Sequence, residues 1–120
     1  MHYIGIDIIE IARIKKAVTH WGKGFLQRVY TEPEIKLYHK KPPSLAARFA
    51  GKEAVIKTLG RQAKGISWQE IEILPDLSGQ PLVHLYGKAQ SQANCLGLTN
   101  LSISLSHSRE YAIACVIAET

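Results

Sequence analysis

The order of apolar and polar positions along this 120-residue chain predicts both strands and helices. Apolar or alternating runs of strand length occur at 4–9, 71–74, 82–86, 101–106 and 111–118. Helical spacing occurs at 10–21, 45–59 and 88–96, and a capping box at Thr31-Glu32-Pro33-Glu34 predicts a further helix that ends near His39. Gly60 stands where a left-handed cap would end the helix at 45–59. We therefore expect an α+β fold in which an antiparallel sheet packs on helices.

Length and cysteine content limit the class of protein. A chain of 120 residues can form one hydrophobic core but not two, so we take residues 1–120 as one domain. Cys95 and Cys115 lie in no C-x-x-C pair, and neither a disulfide framework nor a zinc site is expected. No apolar stretch reaches the roughly 18 residues of a membrane-spanning helix, and no signal-peptide pattern occurs. We expect a cytoplasmic protein that does not bind a membrane.

Two carboxylates stand where the apolar pattern predicts core. Asp7 lies inside the apolar run 4–9, and Glu53 lies inside the predicted helix 45–59. A buried carboxylate is costly unless a cation or hydrogen-bond donors satisfy it, so the pair suggests a shared metal ion. Two plainer interpretations stay open: Asp7 caps a neighbouring helix or starts a turn, and Glu53 belongs to an exposed ion pair.

The predicted helix 45–59 carries charges at unusual places. Its apolar stripe consists of four residues, with Lys52 inside it: Leu45, Phe49, Ile56 and Leu59. Glu53 and Lys57 are one turn apart on the flank that also holds Ala46 and Ala50, so they can pair or face one ligand together. Strand alternation places Gly5 and Ile9 on the same face as Asp7, and Gly5 leaves room for a close approach to the backbone.

Basic residues are concentrated near the start of the chain. The net charge is +5 and the pI is about 9.3, which implies an acidic partner. In the first helix the predicted core stripe is Ile11, Ile14, Val18 and Trp21. Arg13, Lys16 and His20 lie opposite that stripe, and Lys23 and Arg28 follow. This charge alone permits either nucleic acid or an acidic protein.

The final strands suggest an assembly and a further polar site. Consecutive apolar residues at 112–118 imply burial on both faces of the strand, which suggests an oligomer interface. His107 stands between Ser106 and Ser108 after the preceding strand, where an ordinary turn histidine is one interpretation. A Ser-His nucleophilic couple is disfavoured, because adjacent strand residues point to opposite faces and no G-x-S-x-G elbow is present.

Three segments resemble the motifs of the holo-acyl-carrier-protein synthases, the small bacterial 4′-phosphopantetheinyl transferases. They are residues 5–14, residues 48–57 with the specific pattern R-F-x-x-K-E-A-x-x-K, and residues 104–112. The resemblance extends from about residue 3 to residue 119. It implies transfer of 4′-phosphopantetheine from coenzyme A to a serine of apo acyl carrier protein, with release of adenosine 3′,5′-bisphosphate. It further implies a role in fatty acid biosynthesis, Mg²⁺ as cofactor, and a homotrimer with active sites between subunits.

The resemblance assigns roles to individual residues. Asp7 and Glu53 resemble the Mg²⁺ ligands, and the residues implied in catalysis are Glu53, Lys57 and His107. Those implied in coenzyme A binding are Arg48, Lys57, Ser106, His107, Gly79 and Pro81. The general base stays open between Glu53, His107, water and an acid of the protein substrate. Lys52 has either an interface role or a phosphate contact.

The resemblance also implies a binding partner for the basic residues. Acyl carrier proteins are acidic, and the family docks them on the first helix, which implies Arg13, Lys16 and Arg28 in this chain. No RNP-like motif, zinc-finger spacing or G-x-x-G clamp supports nucleic acid, which we do not expect as a partner. The alternative from another class is a non-catalytic basic module that binds nucleic acid or an acidic protein.

The chain departs from the family pattern at two places. Residues 59–66 lack the usual Thr-Gly pair, and Arg61 and Lys64 are the candidates to replace its contacts. Gln80 stands where a lysine is commoner, so a lysine contact to the nucleotide is absent from this turn. Neither departure affects Asp7 or Glu53.

Overall fold

A computed structural model describes residues 1–60 and 64–120, so Arg61 lies outside the described residues. The helices are α1 (Ile11–Trp21), α2 (Lys23–Val29), α3 (Glu32–Tyr38), α4 (Pro42–Leu59) and α5 (Gly87–Cys95). The strands are β1 (His2–Glu10), β2 (Ile71–Pro75), β3 (Pro81–Leu85), β4 (Asn100–His107) and β5 (Tyr111–Glu119). A 3₁₀ turn, Trp68–Glu70, precedes β2. The predicted α+β fold is confirmed, while α2 and the 3₁₀ turn were not predicted.

The strands form two antiparallel sheets. The larger has the order β1-β5-β4, and the smaller is the predicted hairpin of β2 and β3. In the larger sheet Ala114 of β5 lies opposite both Asp7 and Leu105, and Ala112 lies opposite both Ile9 and His107. This register sets the positions of all the candidate residues carried by the sheet.

Helix α4 packs directly on β1 and β5 because small residues line the contact. A Cβ atom at Gly5 would overlap the carbonyl oxygen of Ala54, and one at Gly51 would come within 2.6 Å of the Ile73 side chain. The close approach expected at Gly5 is therefore confirmed, and the approaching element is α4. Ala50 and Ala54 are fully buried in this contact.

The burial of α4 differs from the predicted stripe. Leu45 and Leu59 are buried, but Phe49 and Ile56 are only half-buried. The predicted stripe is wrong in part because small residues, which periodicity undervalues, form the contact with the sheet. The helix also begins at Pro42, since proline suits the first turn of a helix. Gly60 has the positive φ expected of a cap, 84°, but its ψ of 177° is not left-handed helical.

Lys52 is fully buried, which corrects both roles expected of it. Its Nζ donates hydrogen bonds to Glu34 Oε1 at 2.7 Å, to the Ile71 carbonyl at 2.5 Å and to the Trp68 carbonyl at 3.2 Å. Burial lowers the pKa of Lys52, and the adjacent Glu34 carboxylate opposes that change. The lysine thus joins α3, α4 and β2 inside the core, and it reaches neither a phosphate nor a subunit surface.

Helix α1 packs with only part of its predicted stripe. Ile11 and Ile14 are buried and Val18 is half-buried, but Trp21 is 67 % exposed. Trp21 is the last residue of α1, where the chain turns through Gly22 into α2. The expectation of a buried Trp21 is wrong: its side chain, at the very end of α1, is left exposed where the chain turns into α2.

The larger sheet has one covered face and one open face. Ala112, Ala114, Val116 and Ala118 of β5 are buried under the helices. The other face exposes a band of large apolar residues: Ile4, Ile6, Ile8, Ile113 and Ile117. The apolar character of both faces of β5 is confirmed, although a single chain covers only one of them. Among the described helices, none has the length and apolar character needed to cross a membrane.

Candidate active site

Asp7 of β1 and Glu53 of α4 line one surface pocket of about 380 Å³. The other lining residues come from β1, α1, α2 and α4: Ile8, Ile9, Arg13, Ile14, Ala17, Phe25 and Phe49. The two carboxylates predicted to share a site are therefore brought together. The close packing of α4 on β1 at Gly5 makes this possible, since Glu53 directly precedes the Ala54 that contacts Gly5.

Asp7 is held by a lysine from α4. Lys57 Nζ donates to Asp7 Oδ1 at 3.2 Å and to the Ile6 carbonyl oxygen at 2.8 Å. The expected alternative, a pairing of Lys57 with Glu53, is not what is observed. The Asp7 side chain is 21 % exposed and that of Lys57 is 55 % exposed, so this ion pair contributes at most about 1 kcal/mol to stability. The exposed position of Lys57 beside Asp7 makes it a candidate contact for an anionic ligand at the pocket.

Glu53 is oriented by a tryptophan that sequence analysis did not identify. The Trp68 indole Nε1 donates to Glu53 Oε1 at 3.3 Å, and its ring packs on Phe49 with centroids 5.7 Å apart. Ser67 and Glu70 form a capping box around the turn that carries Trp68. That S-x-x-E pattern was the available signal of an ordered turn at this position.

The pocket fits a hard cation that substrate oxygens help to bind. Within residues 1–60 and 64–120, no group of three or more His, Cys, Asp and Glu side chains could hold a metal ion. Two carboxylates from different elements nevertheless face one pocket, and carboxylate oxygens are the ligands that Mg²⁺ prefers. Mg²⁺ usually retains water and takes substrate phosphates as further ligands. The donor set therefore suits Mg²⁺ bound together with a phosphate compound.

Arg48 lies outside this pocket. Five residues before Glu53, it is about 140° away around the helix axis. Its Nη2 donates to the Tyr38 hydroxyl at 2.8 Å, and the guanidinium lies over the Tyr38 ring at 3.9 Å from the centroid. Its Nε is buried and has no hydrogen-bond partner among residues 1–60 and 64–120. Tyr38 thus holds the guanidinium on a separate surface of α4.

Ser106 and His107 also lie away from the two carboxylates. Both are exposed at the end of β4, and alternation places Ser106 on the open face and His107 on the face that carries Asp7. β5 separates β4 from β1, so His107 is about 10 Å from the Asp7 strand. Gly79, with φ of +90°, and Pro81 lie at the turn of the β2–β3 hairpin and do not line the pocket.

The basic residues form an exposed surface beside the pocket. Arg13 and Lys16 of α1 and Arg28 of α2 are exposed, as their expected docking role requires. Arg13 also lines the pocket with Asp7 and Glu53. A molecule bound along α1 therefore extends to the two carboxylates.

Comparison with known proteins identifies the family. Residues 3–116 match the model of the 4′-phosphopantetheinyl transferase superfamily. The chain is 57 % identical over 119 residues to a holo-[acyl-carrier-protein] synthase of Dehalococcoides mccartyi strain CBDB1, with 99 % of each chain covered. It is 48 % identical over 120 residues to that of Herpetosiphon aurantiacus, with 94 % of each covered.

Solved structures share the fold. The Helicobacter pylori holo-[acyl-carrier-protein] synthase in complex with coenzyme A has a TM-score of 0.85 and 35 % identity, covering 97 % of this chain and 99 % of that chain. The Neisseria meningitidis holo-[acyl-carrier-protein] synthase has a TM-score of 0.86 and 31 % identity, covering 98 % of both chains.

Proposed function

This chain belongs to the 4′-phosphopantetheinyl transferase superfamily, and we propose that it transfers 4′-phosphopantetheine from coenzyme A to a serine of apo acyl carrier protein. Adenosine 3′,5′-bisphosphate is the by-product, and the reaction supports fatty acid biosynthesis in the cytoplasm. The observation that carries the proposal is the pocket shared by Asp7 and Glu53, which the basic surface of α1 adjoins. The similarity to a coenzyme A-bound synthase supports the same conclusion.

The reaction needs a neutralised diphosphate and a proton acceptor. The serine oxygen forms a new bond to the phosphorus that bears the pantetheine arm, and the bond to the bridging oxygen breaks. The leaving bisphosphate takes the electron pair of that bond. Asp7 and Glu53 would hold Mg²⁺, which neutralises charge on the attacked and departing phosphate oxygens. Lys57, mostly exposed beside Asp7, supplies a further positive charge.

The serine proton requires a base near the pocket. We assign this role to Glu53, which would act through a water molecule because its own oxygens would hold Mg²⁺ and accept from Trp68. The alternatives are His107 from a neighbouring protomer, water, or an acidic group of the carrier protein.

The carrier protein docks on the basic surface formed by Arg13, Lys16 and Arg28. An acidic protein bound there lies against α1 and α2, and its serine can enter the pocket beside Arg13. Arg13 thus belongs to both the docking surface and the pocket. This continuity favours a protein substrate over a nucleic acid.

The remaining candidate residues require a second protomer. Arg48, Ser106, His107, Gly79 and Pro81 lie outside the pocket of their own chain. The exposed apolar band on the open face of the sheet would be covered in a homotrimer, because burying it removes large isoleucine side chains from water. In such a trimer these residues would contact coenzyme A bound between protomers.

The direct test is a mass measurement on the carrier protein. Apo acyl carrier protein is incubated with coenzyme A, Mg²⁺ and this protein, and its intact mass is recorded. The expected result is an increase by one phosphopantetheine group. A carrier protein that binds but keeps its mass would support the alternative, a non-catalytic basic module.

A further inference from the structure

We propose that Trp68 is a positioning residue that orients the Glu53 carboxylate for metal binding. This inference rests on the proposed function, in which Glu53 is a Mg²⁺ ligand. Trp68 lies on the 3₁₀ turn before β2, outside the three motifs that carry the family resemblance. It contacts the lining of the pocket through Glu53 and Phe49.

The contacts of the Trp68 side chain fix one oxygen of Glu53. The indole Nε1 donates to Oε1 at 3.3 Å, and the ring packs on Phe49 at 5.7 Å between centroids with planes inclined at 39°. Phe49 and Glu53 are four residues apart on α4 and both line the pocket. Phe49 therefore aligns the indole ring, and the indole N–H donates to Glu53. A carboxylate oriented in this way presents its other oxygen at a defined position.

The main chain of Trp68 is fixed by the residue adjacent to Glu53. Its carbonyl oxygen accepts a hydrogen bond from Lys52 Nζ at 3.2 Å, and Lys52 is anchored by Glu34 at 2.7 Å. Both of these side chains are fully buried. Consecutive residues of α4, Lys52 and Glu53, thus bind the main chain and the side chain of the same tryptophan. This arrangement couples the buried ion pair to the geometry of the pocket.

The turn that carries Trp68 is also held by its neighbours. Glu70 Oε1 accepts from the Ser67 backbone N–H at 2.8 Å, and the Glu70 carbonyl accepts from the Tyr86 N–H at 2.8 Å. The Gln69 amide donates to the Tyr30 carbonyl at 3.2 Å. These hydrogen bonds hold the turn in place. Trp68 on a fixed turn can restrict the orientation of the Glu53 carboxylate, which is how a hydrogen-bond partner of a metal ligand acts.

Trp68→Phe tests the role by removing the N–H donor while keeping an aromatic ring against Phe49. Mg²⁺ is titrated calorimetrically into protein saturated with coenzyme A, without any carrier protein. We expect about tenfold weaker Mg²⁺ binding, since loss of an outer-shell partner typically costs 10–100-fold in metal affinity. Trp21→Phe is the matched control, because it makes the same chemical change at the exposed tryptophan of α1 and should leave Mg²⁺ affinity unchanged.

A second variant covers the case in which Trp68→Phe does not fold. The tryptophan analogue benzothienylalanine, in which sulfur replaces the N–H, is incorporated into Trp21→Phe protein, where position 68 is the only tryptophan site left. This change keeps the size of the ring and removes only the donor, and the same loss of Mg²⁺ affinity is expected.

The outcomes separate this inference from the proposed function. Wild-type Mg²⁺ affinity in Trp68→Phe, or in the analogue protein if that variant does not fold, would overturn the positioning role and leave the metal site intact. If the wild-type complex with coenzyme A binds no Mg²⁺, the metal site and the positioning role both fail. In Trp21→Phe protein, Trp68 fluorescence should also change on addition of Mg²⁺ with coenzyme A, and Glu53→Gln should abolish that change.

Discussion

At the scale of single residues, Gly5 decides whether the two carboxylates can meet. Any larger residue would place its Cβ against the carbonyl oxygen of Ala54, so β1 and α4 would have to separate. Asp7 and Glu53 lie next to this contact on the two elements. The pocket therefore depends on the absence of a side chain at Gly5.

Gly5→Ala should destabilise the fold by about 1–3 kcal/mol, the usual cost of overpacking a tight contact. It should also weaken Mg²⁺ binding, because it moves β1 away from α4. Gly24→Ala is the matched control: Gly24 lies in α2, and apart from its own helical turn no atom of the described part of the chain comes within 4 Å of the added Cβ. Alanine there should stabilise the helix by about 0.5 kcal/mol. Urea unfolding at equal protein concentrations measures the free energy of unfolding of both variants and of the wild type. Equal stabilities of Gly5→Ala and wild-type protein would contradict the close approach.

Sequence analysis pointed to Asp7 and Glu53 but not to the side chains that contact them. The two carboxylates stood out because each interrupts an apolar pattern within its own element. Such a pattern could not show that Lys57 pairs with Asp7, because fifty residues separate them and only the packing of α4 on β1 brings them together. Lys52 was misplaced for the same reason, since its partner Glu34 comes from α3.

At the scale of elements, helix α1 connects the proposed docking surface with the pocket that holds Asp7 and Glu53. Its buried side holds Ile11 and Ile14 against the core, and its basic side runs to the pocket at Arg13. The basic face was predicted correctly because charge and periodicity agree there. The helix end at Trp21 was also predicted, but the expected burial of the Trp21 side chain was wrong, since it is exposed where the chain turns through Gly22 into α2.

Reversing charge on the docking surface should weaken carrier binding selectively. Lys16→Glu combined with Arg28→Glu should reduce affinity for acyl carrier protein by at least tenfold, since two surface attractions of roughly 0.5–1 kcal/mol each are lost and replaced by repulsions. Coenzyme A affinity should not change, because neither residue lines the pocket. Arg13 is left intact, since it belongs to both surfaces.

Lys36→Glu, a charge reversal on the exposed side of α3, is the control and should preserve carrier binding. Wild-type affinity should fall as salt rises, because these contacts are exposed. If the double variant loses coenzyme A binding to the same extent, these residues contact the nucleotide instead.

At the scale of the whole molecule, the most prominent feature is an exposed apolar band on the open face of the larger sheet. Ile4, Ile6 and Ile8 lie opposite Ile117, Cys115 and Ile113 across the two strands, which makes a continuous exposed band. The sequence indicated this band through the apolar run of β5. It could not show the geometry of the proposed homotrimer, because contacts between chains leave no pattern in the sequence of one chain.

Ile6→Glu should dissociate the proposed homotrimer and reduce transfer at least tenfold, since burying a glutamate at the centre of the band without a partner is costly. Light scattering measures the assembly. Leu77→Glu, at the exposed tip of the β2–β3 hairpin, should leave the trimer intact. A wild-type protein that is monomeric and fully active would contradict the shared site.

The most direct test of the Asp7–Glu53 site is the intact mass of apo acyl carrier protein after incubation with coenzyme A, Mg²⁺ and either wild-type protein or single carboxylate variants. Wild-type protein should add one phosphopantetheine group, and Asp7→Ala and Glu53→Ala should each add none while remaining folded, because each removes one of the two metal ligands. Removal of Mg²⁺ with a chelator should have the same effect on the wild type. Near wild-type turnover by either variant in Mg²⁺ would contradict the account.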